Sequence, residues 1–203
     1  MSAADVQIEV PGMTRNAFIL RSALAAGAVY GAGAVTPLVT RALGQASNAD
    51  VAAVNLALAV EQLEAAFYAA ALKNVTMGAE VNTLAREFAA HETTHVDTLK
   101  QLVSSLGGTA VPAPRAKFNK TTQAAFLKAA IAIEDFGVAA YNGVIPVLTT
   151  PDIVSALGSI VQVEARHAAA LRFRAGVDPA PKAFDPVLTP QQVPPALRRL
   201  GGG

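Results

Sequence analysis

Apolar residues recur along this chain at the three-and-four spacing of amphipathic helices in four segments, and helix-ending residues mark the breaks between them. The first segment runs from about Asn48 to Asn74, with Ser47 and Asn48 placed to cap it and Asp50 in its first turn. The second spans about Ala79 to Leu106 and stops at Gly107-Gly108, a natural C-terminal signal. A connection holding Pro112 and Pro114 follows. The third segment starts near Thr121-Thr122 and runs to about Val144, where Pro146 forbids simple continuation. The fourth opens at Thr150-Pro151-Asp152, a cap, a proline at the first helical position and an acid near the N-terminus, and it fades at Gly176. The rest, DPAPKAFDPVLTPQQVPPALRRLGGG, is too rich in proline for a long helix and predicts an extended tail. The chain therefore divides into a leading segment 1–46, a helical body 47–176 and a tail 177–203.

The helical body is internally repeated. Aligning AVEQLEAAFY (59–68) with AIEDFGVAAY (132–141) places Glu61 on Glu134 and Tyr68 on Tyr141. Aligning AHETTHVDTLK (90–100) with QVEARHAAALR (162–172) places Glu92 on Glu164 and His95 on His167. The partners keep their order and nearly their separation, 92 − 61 = 31 against 164 − 134 = 30. Two related hairpins thus each carry one lone Glu and one Glu-x-x-His.

Composition narrows the classes of function. With 203 residues the chain can bury a sizeable core, and a net charge of +1 offers no electrostatic footprint for nucleic acid. The absence of Cys excludes disulfides, zinc-thiolate sites and thiol catalysis. Between Arg21 and Arg41 runs an uncharged Ala/Gly-rich stretch, preceded by basic residues and followed by GQAS. That is the layout of an export signal with cleavage after Ala46, which predicts a periplasmic or cell-envelope location. A retained membrane anchor and an Ala-rich helix packed on the protein are the competing readings. Thr14-Arg15-Asn16-Ala17-Phe18-Ile19 resembles the twin-arginine export motif, with Asn16 standing where the second arginine belongs.

The chemistry concentrates in HETTH (91–95). Read as HExxH it is a zinc-protease motif, two His on one metal and the Glu as general base. That reading lacks a third ligand: the extended motif needs Gly at 98 and His at 101, where the chain has Thr98 and Gln101. Read as Glu-x-x-His, the motif aligns with its repeat. Residues at i and i+3 lie about 60° apart on a helix, so Glu92 and His95 share a face, as do Glu164 and His167. Four carboxylates and two imidazoles from four helices can hold two divalent cations and leave positions open. Without metal, four such acids flanked by Val60, Leu63, Ile133 and Phe136 would be costly to bury. The bland alternative puts these acids on solvated faces beside incidental histidines.

The order Glu, Glu-x-x-His, Glu, Glu-x-x-His resembles the ferritin-like superfamily, and the likeness extends to Tyr68 and the Glu-Ala-Arg-His of the fourth segment. More narrowly, LALAVEQLEAAFYAAAL (56–72) and AFDPVLTPQQV (183–193) resemble the bacterial ferritin-like family that includes desiccation-related proteins. The resemblance implies an all-α, antiparallel four-helix bundle with a long central crossover. It further implies two Fe ions (alternatively two Mn, or a mixed Fe/Mn pair) held by Glu61, Glu92, His95, Glu134, Glu164 and His167, with Glu92 and Glu164 bridging. The expected activity is oxidation of Fe(II) or scavenging of peroxide or O2. A manganese catalase and a non-enzymatic stress or desiccation protein with a structural metal are the rivals. A homo-oligomer, and membrane contact through the leading segment, are compatible with this layout.

Neighbouring residues carry weaker signals. Tyr68 and Tyr141 sit seven residues after the lone glutamates, nearly on the same face, as hydrogen-bond donors to the ligands, redox-active groups or ordinary core tyrosines. Glu64 is expected to be a partly exposed acid rather than an extra ligand, because its repeat partner is Gly137. His91, about 100° round the helix from Glu92, reads as a helix-surface residue or a hydrogen-bonding neighbour of the site. Arg166 is expected to pair with an acid outside it.

Overall fold

In the computed structural model the described residues are 47–119 and 122–201. The leading segment 1–46, with its expected export signal or anchor, lies outside them. The four expected helices are α1 (Asn48–Asn74), α2 (Ala79–Ser105), α3 (Gln123–Val144) and α4 (Pro151–Arg174), and a fifth, α5 (Val193–Leu200), follows. Among the described residues there is no strand, only an isolated bridge between Thr76 and Thr122.

Two apolar layers hold the bundle together. In one, Val54 and Leu58 of α1 meet Leu99 and Val103 of α2, Tyr141 and Val144 of α3, and Ile153 and Leu157 of α4. In the other, Phe67 and Ala71 of α1 meet Val81 and Phe88 of α2, Phe126 and Ala130 of α3, and Leu171 of α4. Early residues of α1 therefore lie beside late residues of α2 and α3. The α1–α2, α1–α3 and α3–α4 neighbours all run antiparallel. By length and composition α1 could cross a membrane, but 61% of its most apolar window is buried, so its hydropathy reflects a core helix.

The ends of the helices are fixed by local chemistry. Ser47 and Asp50 exchange hydrogen bonds in a capping box at the start of α1. Asp50 also accepts from the Thr149 amide at 2.7 Å, the Thr149 hydroxyl at 2.7 Å and the Thr150 hydroxyl at 2.9 Å. Thr150, expected to cap α4 with its side chain, makes no such bond there; its hydroxyl serves Asp50 instead. Burial pushes the Asp50 carboxyl up, but these donors outweigh it and hold the group down at about 2. Gly107 takes φ 73° after the end of α2, as a left-handed helix terminus requires. The crossover that follows is strapped across α1: Asn55 donates to Thr109 O and accepts from Val111 N, and Gln62 donates to Val111 O.

The tail departs from expectation. It is extended only as far as about Gln192 and then forms α5, whose Val193, Ala196 and Leu197 pack on Val60, Leu63, Phe136 and Ala140 in the groove between α1 and α3. Pro194 and Pro195 permit this because they fall in the first turn, where a helix does not use their missing N–H groups. The extended part is laid tightly on α3. Leu188 N donates to Ala139 O, and a Cβ at Gly143 would come within 1.7 Å of Leu188 O.

Candidate metal centre

Between the two apolar layers lies a polar one. Glu61 on α1, Glu92 and His95 on α2, Glu134 on α3, and Glu164 and His167 on α4 converge there. All four carboxylates are fully buried, and His95 and His167 are 8% and 2% exposed. The structure thus brings together every residue of the doubled pattern.

The arrangement has an internal twofold logic. His95 Nδ1 lies 3.1 Å from Glu61 Oε2, 3.3 Å from Glu92 Oε2 and 3.1 Å from Glu164 Oε1. His167 Nδ1 lies 3.3 Å from Glu134 Oε2, 3.1 Å from Glu92 Oε1 and 3.8 Å from Glu164 Oε2. Glu92 and Glu164 therefore each turn one oxygen toward each imidazole. Two four-residue sets result, Glu61/Glu92/His95/Glu164 and Glu92/Glu134/Glu164/His167, each with donor atoms within 4.8 Å of one another.

Tyr68 and Tyr141 complete the layer by crossing over. The Tyr68 hydroxyl donates to Glu134 and the Tyr141 hydroxyl to Glu61 Oε1 at 2.5 Å. Each tyrosine serves the glutamate of the other hairpin, because antiparallel α1 and α3 set a residue seven places beyond one glutamate opposite the other. Burial, reinforced by the charge of Glu134 on Tyr68 and of Glu61 on Tyr141, holds both phenols well above their usual range. They stay protonated and remain donors.

The electrostatics ask for positive charge. Burial first, then neighbouring carboxylates, raises Glu92 and Glu164 well above the ordinary range. Glu92 Oε1 and both oxygens of Glu164 are buried and face an imidazole nitrogen, but none of these contacts has hydrogen-bond geometry. Burial alone would push His95 down, yet Glu164, Glu61 and Glu92 around Nδ1 lift it to about 12. Buried carboxylate oxygens without well-formed hydrogen bonds are costly, and divalent cations would satisfy them. The donor set of carboxylate and imidazole suits iron, manganese or zinc.

Three neighbouring residues refine the sequence reading. Glu64, expected to be partly exposed, is fully buried, and neither of its oxygens has a hydrogen-bond partner. The signal was its spacing: Glu61, Glu64 and Tyr68 form one i, i+3, i+7 stripe facing the interior. The glycine at its repeat position pointed the other way. His91 is half-buried and its Nδ1 lies 3.0 Å from His167 Nε2, which makes it a hydrogen-bonding neighbour of the site. Burial and the adjacent His167 lower its pKa, favouring a neutral ring. Arg166 makes none of the ion pairs seen among the described residues; the α4 arginines that do are Arg172, with Asp135, and Arg174, with Glu80.

A family described as a ferritin-like domain matches residues 49–176. No curated protein matches the chain. Seven chains of solved structure do. One is the crystal structure of a conserved hypothetical protein from Mycobacterium tuberculosis, 22% identical, with a TM-score of 0.58. The match covers 63% of this chain and 98% of that one, and at such identity it speaks to the fold alone.

Proposed function

The chain belongs to the ferritin-like domain family, and from that premise we propose that it is a dinuclear carboxylate protein holding two iron or manganese ions and reacting with peroxide or O2. The single observation that carries this reading is the way Glu92 and Glu164 each divide their oxygens between His95 and His167. One ion position would be held by Glu61, His95 and the shared pair, the other by Glu134, His167 and the same pair. Ions held there by Glu61, Glu92, His95, Glu134, Glu164 and His167 would supply redox chemistry toward peroxide or O2.

The chain's own residues prepare the site. Tyr68 and Tyr141 each occupy one oxygen of Glu134 and Glu61, which fixes those carboxylates in a single orientation. His91 hydrogen-bonds the far nitrogen of His167, so that ring's Nδ1 is kept aimed at the carboxylates. The apolar layers on either side keep bulk water from competing for the donors.

Aerobic Fe(II) titration followed by optical absorption tests the reading. Oxidation well above that of a Glu92→Ala control, which loses a shared carboxylate, is the expected result; equal rates would overturn it. Metal analysis with oxygen evolution from peroxide separates iron from manganese chemistry.

A further inference from the structure

Glu64 stands apart from the six residues above. It lies one turn after Glu61 on α1, is wholly buried, and leaves both carboxylate oxygens without a hydrogen-bond partner. Across from it on α3 is Gly137, where an added Cβ would sit 2.5 Å from Glu64 Oε1. In the internal repeat, Glu61 corresponds to Glu134, so Glu64 corresponds to Gly137 itself. Equivalent residues of the two hairpins thus face each other, which places them on the pseudo-twofold axis that also relates the two ion positions. There is space on that axis for one carboxylate, and only because its counterpart has no side chain.

We infer that Glu64 is a fifth carboxylate donor to the metal pair, entering from the α1–α3 side of the cage through the room left by Gly137. This rests on the dinuclear reading above and deepens it. Glu61, Glu92, Glu134 and Glu164, all ionised, balance two divalent cations. A fifth carboxylate on the axis gives the pair a reserve of negative charge as its total charge rises, without calling on solvent. No other partner for the Glu64 oxygens exists among the described residues, whereas a buried acid serving only the packing would be expected to find a donor.

The test is anaerobic titration of the metal-free full-length protein with Mn(II), read by calorimetry and by elemental analysis after desalting. Wild type is expected to take up two equivalents. Glu64→Gln, which keeps the shape but weakens the donor, is expected to fold and to weaken at least one step tenfold or more. Gly137→Ala, which crowds the carboxylate without removing it, is expected to shift binding in the same direction. Two steps in Glu64→Gln with the wild-type affinities would overturn the inference and leave the dinuclear centre standing. A wild-type protein that takes up no ion would overturn the centre, and this inference with it. If Glu64→Gln misfolds by circular dichroism, Gly137→Ala decides, and unchanged affinity there overturns the inference.

Discussion

At the scale of single residues, the site is held by donors that come from the wrong hairpin for a local explanation. Tyr68 and Tyr141 restrain glutamates on a helix they do not belong to. Each hydroxyl satisfies a buried carboxylate oxygen, and removing it leaves that oxygen without a donor. Tyr68→Phe and Tyr141→Phe are therefore each expected to lower the unfolding free energy of the metal-free protein by about 1–3 kcal/mol, measured by urea denaturation. No change in either variant would mean that these hydrogen bonds are not made in solution. The tyrosines' spacing from the glutamates was legible in the sequence, but their choice of partner was not. It depends on the direction in which α3 passes α1, which no property of either segment encodes. Glu64 was illegible for the converse reason: repeat symmetry suggests exposure, whereas Glu64 and Gly137 face each other across the axis, where two side chains would not fit.

Among the elements, the boundaries were the most legible feature. Ser47 with Asp50, Gly107 after α2, and Pro151 at the start of α4 each do the local job their residue type suggests. What no window of sequence could contain is the second duty of Asp50, which ties the start of α1 to Thr149 and Thr150, a hundred residues on. Asp50→Ala should remove the cap of α1 and strand those hydroxyls together, lowering stability by about 2 kcal/mol. The pH dependence follows from the sign of the shift. Asp50 is lowered from 3.8 to about 2, so its contribution is complete above the unfolded value and is lost as pH falls through the folded one. The stability difference between wild type and Asp50→Asn should accordingly shrink between pH 4 and pH 2, and a difference independent of pH there would refute this account.

For the whole molecule, the four-helix body could be read from periodicity, and the convergence of four glutamates and two histidines from their doubled spacing. The tail could not. Its prolines argue against helix in general, yet two of them occupy the only turn where they do no harm, and Val193, Ala196 and Leu197 then close the groove over Val60, Leu63, Phe136 and Ala140. That docking depends on Gly143, which lets the strand-like stretch around Leu188 lie directly on α3. Gly143→Ala would drive a methyl into backbone, so the tail should lift. Limited proteolysis is expected to cut between 177 and 192 well before the bundle in this variant, and the melting temperature should fall; cleavage at the wild-type rate would show that the close approach is not needed.

The asymmetry at Glu64 and Gly137 reaches beyond ion binding. Suppose the α1–α2 hairpin associated with a copy of itself: two acids would collide at the centre of the interface. Two copies of α3–α4 would instead leave a hole between glycines. Only the heterologous combination fills the space, so a one-residue mismatch commits each half of this polypeptide to the other and discourages like from pairing with like.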